Sequence, residues 1–241
     1  MMTLLTSNVD GVNSELLCWG VAGCGSMTRA GRRGRSGAGG RRRRPRYHHG
    51  NLPQALRDAA LALINEAGAD ALTLRGAARR AGVSQAAPYR HFRNKEALLA
   101  AVAEEGFRAM TEARGRRAAP HREDPAGRLR ALGRAYVEFA TRHPAHFRVM
   151  FGRVPVDRAA HPGLQAAATA AYGLLIGAIR DCQAADVVRG GDPEELALCA
   201  WSAVHGLSAL VVDGQLGERA KQLELLARAV TDNVVRGLAV W

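Results

Sequence analysis

The chain has 241 residues, of which 47% are hydrophobic and 23% charged, and 34 Lys and Arg against 22 Asp and Glu give a net charge of +12. These proportions are typical of a globular protein of one or two domains and exclude global disorder, collagen-like repeats and a coiled-coil rod. The basic excess favours a polyanionic partner.

Residues 1–46 are predicted to be a tail, and its stretch 25–46, GSMTRAGRRGRSGAGGRRRRPR, consists mainly of Gly, Ser and Arg. Such a composition has little apolar surface to bury, so the tail is predicted to be disordered. Its arginines would add sequence-independent attraction to phosphates, or they are simply a solvated arm. Met27 stands just before the basic run and is an alternative start of the chain.

Helical periodicity begins at Leu52, where apolar residues recur at spacings of three and four as far as Gly68. A short second helix is predicted over 73–81, with Thr73 as its N-cap, and Gly82 ends it. A third helix, capped by Ser84, is predicted over 84–92. A fourth is predicted to open at Asn94 and to reach about residue 114.

A polar linker with two prolines covers 118–125, and the rest of the chain is again helical in pattern. Asp192 followed by Pro193 and two glutamates is a good helix start, because the cap, the proline and the acids each suit the first turn. No strand alternation is present, so the fold class is predicted to be all-α. Further helices are expected near 126–142, 144–151, 162–186, 193–214 and 218–239.

Two short helices meeting across residues 81–84 suggest a helix-turn-helix, because Gly82 accepts a positive φ at the turn. Val83, Tyr89 and Phe92 are predicted to form the apolar seam between the helices. Residues 73–95 contain six basic and no acidic side chains, which favours nucleic-acid binding. The alternative is a plain helical hairpin of an ordinary α-domain.

The side chains of the third helix suit a DNA major groove. Gln85 can read an adenine edge, Ala86 can touch a thymine methyl, and Arg90 can contact guanine or phosphate. Tyr89 has a mixed role, with its ring in the packing and its hydroxyl reaching DNA. Pro88 is unusual within a reading helix, since it lacks the amide that would bond to the preceding turn.

The stretch 47–107 resembles the N-terminal DNA-binding domain of the TetR/AcrR family of transcriptional regulators. The resemblance is carried by HHGNL at 48–52, by residues 74–81 and by GVSQAAPYRHFRNKEALL at 82–99. WSAVHG at 201–206 and HPAHFRVMF at 143–151 resemble the Trp-His-Gly subgroup of ligand-sensing domains. The resemblance implies a three-helix DNA-binding domain over 47–108, then a helical effector-binding and dimerisation domain over 109–241.

The same resemblance implies a ligand-controlled homodimer, most often a repressor, on a near-palindromic double-stranded operator. The segment 193–214 and the segment 218–239 would form the dimer interface, since they leave little polar surface. A sequence-indifferent DNA-binding protein that uses the arginine-rich tail is the alternative function. The DNA-binding candidates are Tyr47, His48, Thr73, Arg75, Ser84, Gln85, Ala86, Tyr89, Arg90, His91 and Lys95.

A small, largely apolar effector is implied for the C-terminal domain. Trp201 and His205 lie one helical turn apart and are the better pair of pocket candidates. The alternative is that each candidate is an ordinary core residue. The full set of pocket candidates is Tyr136, Phe139, His146, Phe147, Met150, Tyr172, Trp201 and His205.

Other chemistries find little support in the sequence. His143 and His146 have a spacing that could bind metal, but no third ligand is apparent, so no metal or cofactor is expected. No catalytic constellation accompanies any acid or nucleophile, so the protein is not predicted to be an enzyme. The four cysteines form no CxxC pair and no stretch is as apolar as a membrane span, which favours a cytoplasmic protein without a membrane partner.

Overall fold

The computed structural model describes residues 51–152 and 156–239. The tail over 1–46, Tyr47, His48 and two of the four cysteines, Cys18 and Cys24, lie outside the described residues. Eight α-helices and three short 3-10 helices account for most of the described chain, so the predicted all-α class is confirmed. The α-helices are α1 Leu52–Ala67, α2 Leu74–Arg80, α3 Lys95–Ala118, α4 Pro125–Arg142, α5 Pro144–Phe151, α6 Pro162–Ala184, α7 Pro193–Val212 and α8 Leu223–Leu238.

The first helices begin where capping side chains are available. Asn51 accepts a hydrogen bond from the amide of Gln54 at the start of α1, and Thr73 accepts one from the amide of Gly76 at 2.9 Å. Asn94 caps α3 through the amide of Ala97 at 2.8 Å. Gly82 has a φ of +72°, which confirms the left-handed turn predicted after α2.

The prediction of a third helix over 84–92 is wrong in its length and type. Residues 84–92 hold only a four-residue 3-10 helix, Ala87–Arg90, and Ser84 does not cap it with its side chain. Pro88 has no amide hydrogen, so no α-helical bond can return to Ser84, and the amide of Ala87 bonds to the Ser84 carbonyl instead. The sequence also placed Tyr89 in the apolar seam, whereas Tyr89 is 53% exposed while Phe92 and Pro88 are buried.

The core lies where α3 packs against α4, α5 and α6, and α4 packs against α7 and α8. The helix α3 runs without interruption across the boundary predicted between residues 108 and 109, and it extends four residues beyond its predicted end. The last predicted segment is divided, since residues 217–222 form a 3-10 helix before α8 begins at Leu223.

Helices α6 and α7 are long and apolar enough to cross a membrane by length and composition, so the prediction that no stretch is this apolar is wrong. Both pack within the bundle, where α6 contacts α3 and α4, and α7 contacts α4 and α8. Core helices of soluble proteins are often as long and as apolar, so length and composition alone are weak evidence for a membrane span.

Candidate functional site

One face of the described chain is exposed and basic, and it comprises the exposed residues between Thr73 and Asn94. We call this surface the basic face. Every DNA-binding candidate from Thr73 to His91 is exposed on it, and Lys95 is partly buried at its edge. The buried side of the same segment contains Leu74, Ala77 and Phe92, which anchor it to the core.

The arginines of the basic face differ in whether a carboxylate neutralises them. Arg80 pairs with Glu66 at 2.6 Å, and this bond raises the pKa of Arg80 and lowers the pKa of Glu66. Among the ion pairs of the described residues, none involves Arg75, Arg79, Arg90 or Arg93. Their positive charge is therefore free to attract an anion.

The polar groups on the basic face keep donors available. Thr73 uses its oxygen to accept the Gly76 amide, which leaves its hydroxyl hydrogen for another partner. The Lys95 ammonium donates to the carbonyl of Asp70 at 2.8 Å, which uses one of its three hydrogens. Donors of this kind, placed beside unpaired arginines, are what a phosphate backbone requires.

A cavity of about 450 Å³ lies among the helices that follow the basic face in the chain. Side chains from α3, α4, α6 and α7 line it, and most of them are aromatic or aliphatic. Three of the predicted pocket residues line this cavity: Tyr136, Tyr172 and Trp201. A concave space with apolar walls and a few polar groups is typical of a small-molecule site.

The other predicted pocket residues lie elsewhere. Met150 and His205 line a neighbouring cavity of about 370 Å³, which also touches Trp201. Phe139 stacks on His143, with ring centroids 4.8 Å apart, and faces a separate surface groove. Phe147 packs edge-on against Tyr136, and His146 is largely buried beside Glu105, with 3.9 Å between His146 Nε2 and Glu105 Oε1.

Tyr136 is the centre of a hydrogen-bonded network at the wall between the two cavities. The indole N–H of Trp201 donates to the hydroxyl of Tyr136 at 3.2 Å, and the same hydroxyl oxygen lies 2.8 Å from Nδ1 of His205. Burial lowers the pKa of His205, which favours the neutral ring, and in the tautomer with its hydrogen on Nε2 the tyrosine hydroxyl donates to Nδ1. Burial also raises the pKa of Tyr136, which keeps that hydrogen in place.

Sequence reasoning missed three cavity residues on α3, namely Phe107, Met110 and Arg114. Their spacing of three and four residues places them on one face of the helix, and this signal could have identified them. Nothing in the sequence indicated a bond between Arg57 and Glu105, which lie 48 residues apart and pair at 2.6 Å.

Two features of the described part of the chain bear on metal binding and thiol chemistry, namely the grouping of possible metal ligands and the state of the cysteines. No group of three or more His, Cys, Asp or Glu side chains there is placed to hold a metal ion. Cys182 is buried and Cys199 exposed, and neither forms a disulfide.

Two family models match the chain over the regions just described. Residues 56–102 match the model for bacterial regulatory proteins of the tetR family. Residues 129–234 match the model for the tetracyclin repressor-like C-terminal domain. The first region contains the basic face, and the second contributes Tyr136, Tyr172 and Trp201 to the cavity.

Individual proteins agree with the family models. The tetracycline repressor protein class A from transposon 1721 of Escherichia coli is 58% identical over 52 residues, which are 22% of this chain and 24% of that repressor. The chain therefore matches about a quarter of the length of that repressor.

Solved structures extend the likeness to the whole fold. A protein of unknown function from Rhodococcus sp. RHA1 is 35% identical with a TM-score of 0.70, over 82% of this chain and 100% of that one. The TetR family transcriptional regulator PfmR from Thermus thermophilus is 22% identical with a TM-score of 0.63, over 77% of this chain and 99% of that one. Two family models in the family's order and a matching fold lead to one conclusion: the chain belongs to the TetR family of bacterial regulatory proteins, which are regulators and not enzymes.

Proposed function

We propose that the protein is a dimeric transcriptional repressor that leaves its operator when a small, largely apolar effector enters the 450 Å³ cavity. The observation that carries this proposal is the basic face, whose exposed arginines include four without a carboxylate partner among the described residues. Such a protein acts on DNA in the bacterial cytoplasm. The packing of α6 and α7 inside the bundle supports a protein without a membrane partner.

The base-reading residues are proposed to be Gln85, Ala86, Tyr89, Arg90 and His91. All five are exposed on the basic face. The turn before the 3-10 helix carries the first two, and the exposed ring of Tyr89 supports a contact with DNA rather than a packing role. Gln and Arg can each make two hydrogen bonds to a base edge, which gives sequence preference.

The phosphate contacts are proposed to come from the flanks of the basic face. Four residues would contact the DNA backbone, because they supply hydroxyl and cationic donors around the base-reading residues: Thr73, Arg75, Ser84 and Lys95. Tyr47 and His48 are assigned the same role on the family pattern alone. Contacts of this kind set the position of the protein on the duplex without selecting its sequence.

The effector site is proposed to be centred on Tyr136, Tyr172 and Trp201, which line the 450 Å³ cavity. We infer from the Trp201–His205 pair that the domain belongs to the Trp-His-Gly subgroup, and the bond of both residues to Tyr136 supports this inference. The other pocket residues stay predictions: Met150, His205, Phe139, His146 and Phe147. The last three do not line the 450 Å³ cavity and would affect the effector only through the residues that do.

The dimer is proposed to form through α7 and α8. Leu198 and Leu210 on α7 are 52% and 46% exposed, and Leu225 on α8 is 65% exposed, so both helices present large apolar side chains to solvent. A second copy would cover them in an isologous interface. Two basic faces related by a twofold axis would then read a near-palindromic operator.

The proposed function is tested by fluorescence anisotropy of the full chain with DNA from upstream of its own gene and with a scrambled duplex. We expect tight binding to the native duplex alone, with loss in Arg90→Ala. Arg80→Ala is the matched control, because Arg80 already pairs with Glu66 and should matter less. Equal, strongly salt-dependent binding to both duplexes would support the sequence-indifferent alternative and overturn the proposal.

A further inference from the structure

Arg114 is a buried cation on the wall of the 450 Å³ cavity. It is only 4% exposed, and among the described residues no carboxylate lies within ion-pair distance of its guanidinium. One N–H of the guanidinium donates to the carbonyl of Ala171 at 2.8 Å, and Nε has no hydrogen-bond partner in the described chain. A guanidinium has five N–H donors, so most of its bonding capacity is unused.

A buried charge without a partner is unfavourable, and proteins usually neutralise it with an opposite charge. The ring of Tyr136 lies 5.8 Å from the guanidinium carbon and offers only a weak cation–π contact. Burial lowers the pKa of Arg114 to about 10, so the side chain is still a cation at neutral pH. The charge thus persists with no anion from the protein beside it.

The remaining charged residues of the lining lie at the exposed rim. Arg158 is placed over the ring of Phe107 at 5.3 Å and donates to the carbonyl of Met150, whereas Glu194 is exposed at the start of α7. The charges of Arg158 and Glu194 at the rim are opposite in sign and cancel. The interior of the cavity therefore has a net positive charge, which comes from Arg114. Its other inner walls are apolar, with Phe107, Met110 and Leu175 among them.

We propose that the effector is a carboxylic acid with an apolar body, whose carboxylate pairs with Arg114 inside the cavity. This inference rests on the proposed function, since it names the ligand class of the same site. A carboxylate accepts two parallel N–H bonds from a guanidinium, which would satisfy two of the donors that the protein leaves free and neutralise the charge. The apolar body would occupy the space between the aromatic and aliphatic walls.

The test compares decanoate with 1-decanol, which share a chain length and differ in charge. Binding of each is measured by calorimetry with the full chain and with Arg114→Met, Arg114→Lys and Arg116→Met. Arg116 is the matched control, because it lies two residues further along α3, is exposed and pairs with Glu112. We expect decanoate to bind at least about tenfold more tightly than 1-decanol to the wild type and to Arg116→Met.

The preference for decanoate should vanish in Arg114→Met and survive in part in Arg114→Lys. Without ligand, Arg114→Met should raise the melting temperature, because it removes a buried charge that lacks a partner. Equal binding of the two probes to the wild type, binding of neither, or a preference that persists in Arg114→Met would overturn the proposal. A lower melting temperature of Arg114→Met would also count against it, because Arg114 would then serve the fold.

Operator binding separates this inference from the proposed function. The Arg114→Met protein should bind operator DNA as the wild type does when no ligand is present, which also checks that it folds. If the wild type fails to bind operator while decanoate still requires Arg114, the proposed function fails and the carboxylate site stands. If operator binding is intact and decanoate shows no dependence on Arg114, only the carboxylate site fails.

Discussion

Nε of Arg57 on α1 lies 2.6 Å from a carboxylate oxygen of Glu105 on α3, and the two residues join the first helix to the longest one. The pair is partly buried, with 22% of the Arg57 side chain and 34% of the Glu105 side chain exposed. It therefore holds α1 in position more firmly than an exposed ion pair would.

A double-mutant cycle should detect this bond. We expect Arg57→Met and Glu105→Gln to show a coupling of about 0.5–1 kcal/mol in the free energy of unfolding, measured with urea. The matched control is the pair of Arg80→Met and Glu66→Gln, which is exposed and should show a weaker coupling that salt removes. Additive effects of Arg57→Met and Glu105→Gln would contradict the prediction.

Two glycine substitutions should have opposite effects on stability. Gly82→Ala should lower the free energy of unfolding by about 1–2 kcal/mol, because its φ of +72° is unfavourable for a residue with a Cβ. Gly115→Ala should raise it by about 0.5–1 kcal/mol, since Gly115 lies inside α3 and a Cβ there meets nothing within 4 Å. Thermal unfolding of both variants checks the signs, and a stabilising Gly82→Ala would refute the turn geometry.

Tyr136→Phe should destabilise the protein by about 0.5–1.5 kcal/mol, because it removes the partner of two partly buried polar groups. The indole N–H of Trp201 and Nδ1 of His205 would both lose their hydrogen bonds. Urea unfolding followed by tryptophan fluorescence measures the change. Tyr172→Phe is the control, since its hydroxyl donates to the Glu194 carbonyl in an exposed position, and it should cost much less.

Acid should weaken the fold partly through His205. Its pKa in the folded protein lies below the ordinary value of 6.5, so the unfolded chain binds more protons as the pH falls below that value. Stability is therefore lost from about pH 6.5 downward until the folded pKa is passed. The melting temperature between about pH 7 and pH 5 should fall less in His205→Asn than in the wild type. An unchanged slope in His205→Asn would contradict the assignment.

Leu225→Glu should convert the proposed dimer into monomers. Leu225 is the most exposed of the large hydrophobic side chains in the described chain, and a charge in its place would stay unpaired in a covered interface. Light scattering coupled to size-exclusion chromatography gives the mass. Tyr89→Glu, on the basic face, should leave the mass unchanged, and a wild-type monomer would contradict the dimer.

Helix positions were predictable from this sequence because caps and apolar spacing agree. Asn51, Thr73, Asn94 and Asp192 all cap helices as their side chains suggest, and α5 has its predicted bounds. The third helix was not predictable from periodicity, since one proline shortens it to four residues. The residues that line a cavity depend on how distant helices pack, which a sequence shows only in part. The aromatic residues Tyr136, Tyr172 and Trp201 were predicted. Arg114 was missed because a charged residue usually indicates a helix face in contact with solvent.

The uninterrupted α3 gives the molecule a stiff lever between its two ends. Lys95 at the edge of the basic face and Arg114 in the cavity are separated along this helix by about 28 Å, at about 1.5 Å per residue, so a tilt of about 5° at one end would displace the other by about 2.5 Å. In the proposed dimer, opposite displacements of the two arms would change their separation by about 5 Å, which exceeds the roughly 3.4 Å between stacked base pairs. A ligand that shifts one wall of the cavity slightly would thus suffice to change the separation of the two basic faces, so that it no longer matches the spacing of the operator half-sites.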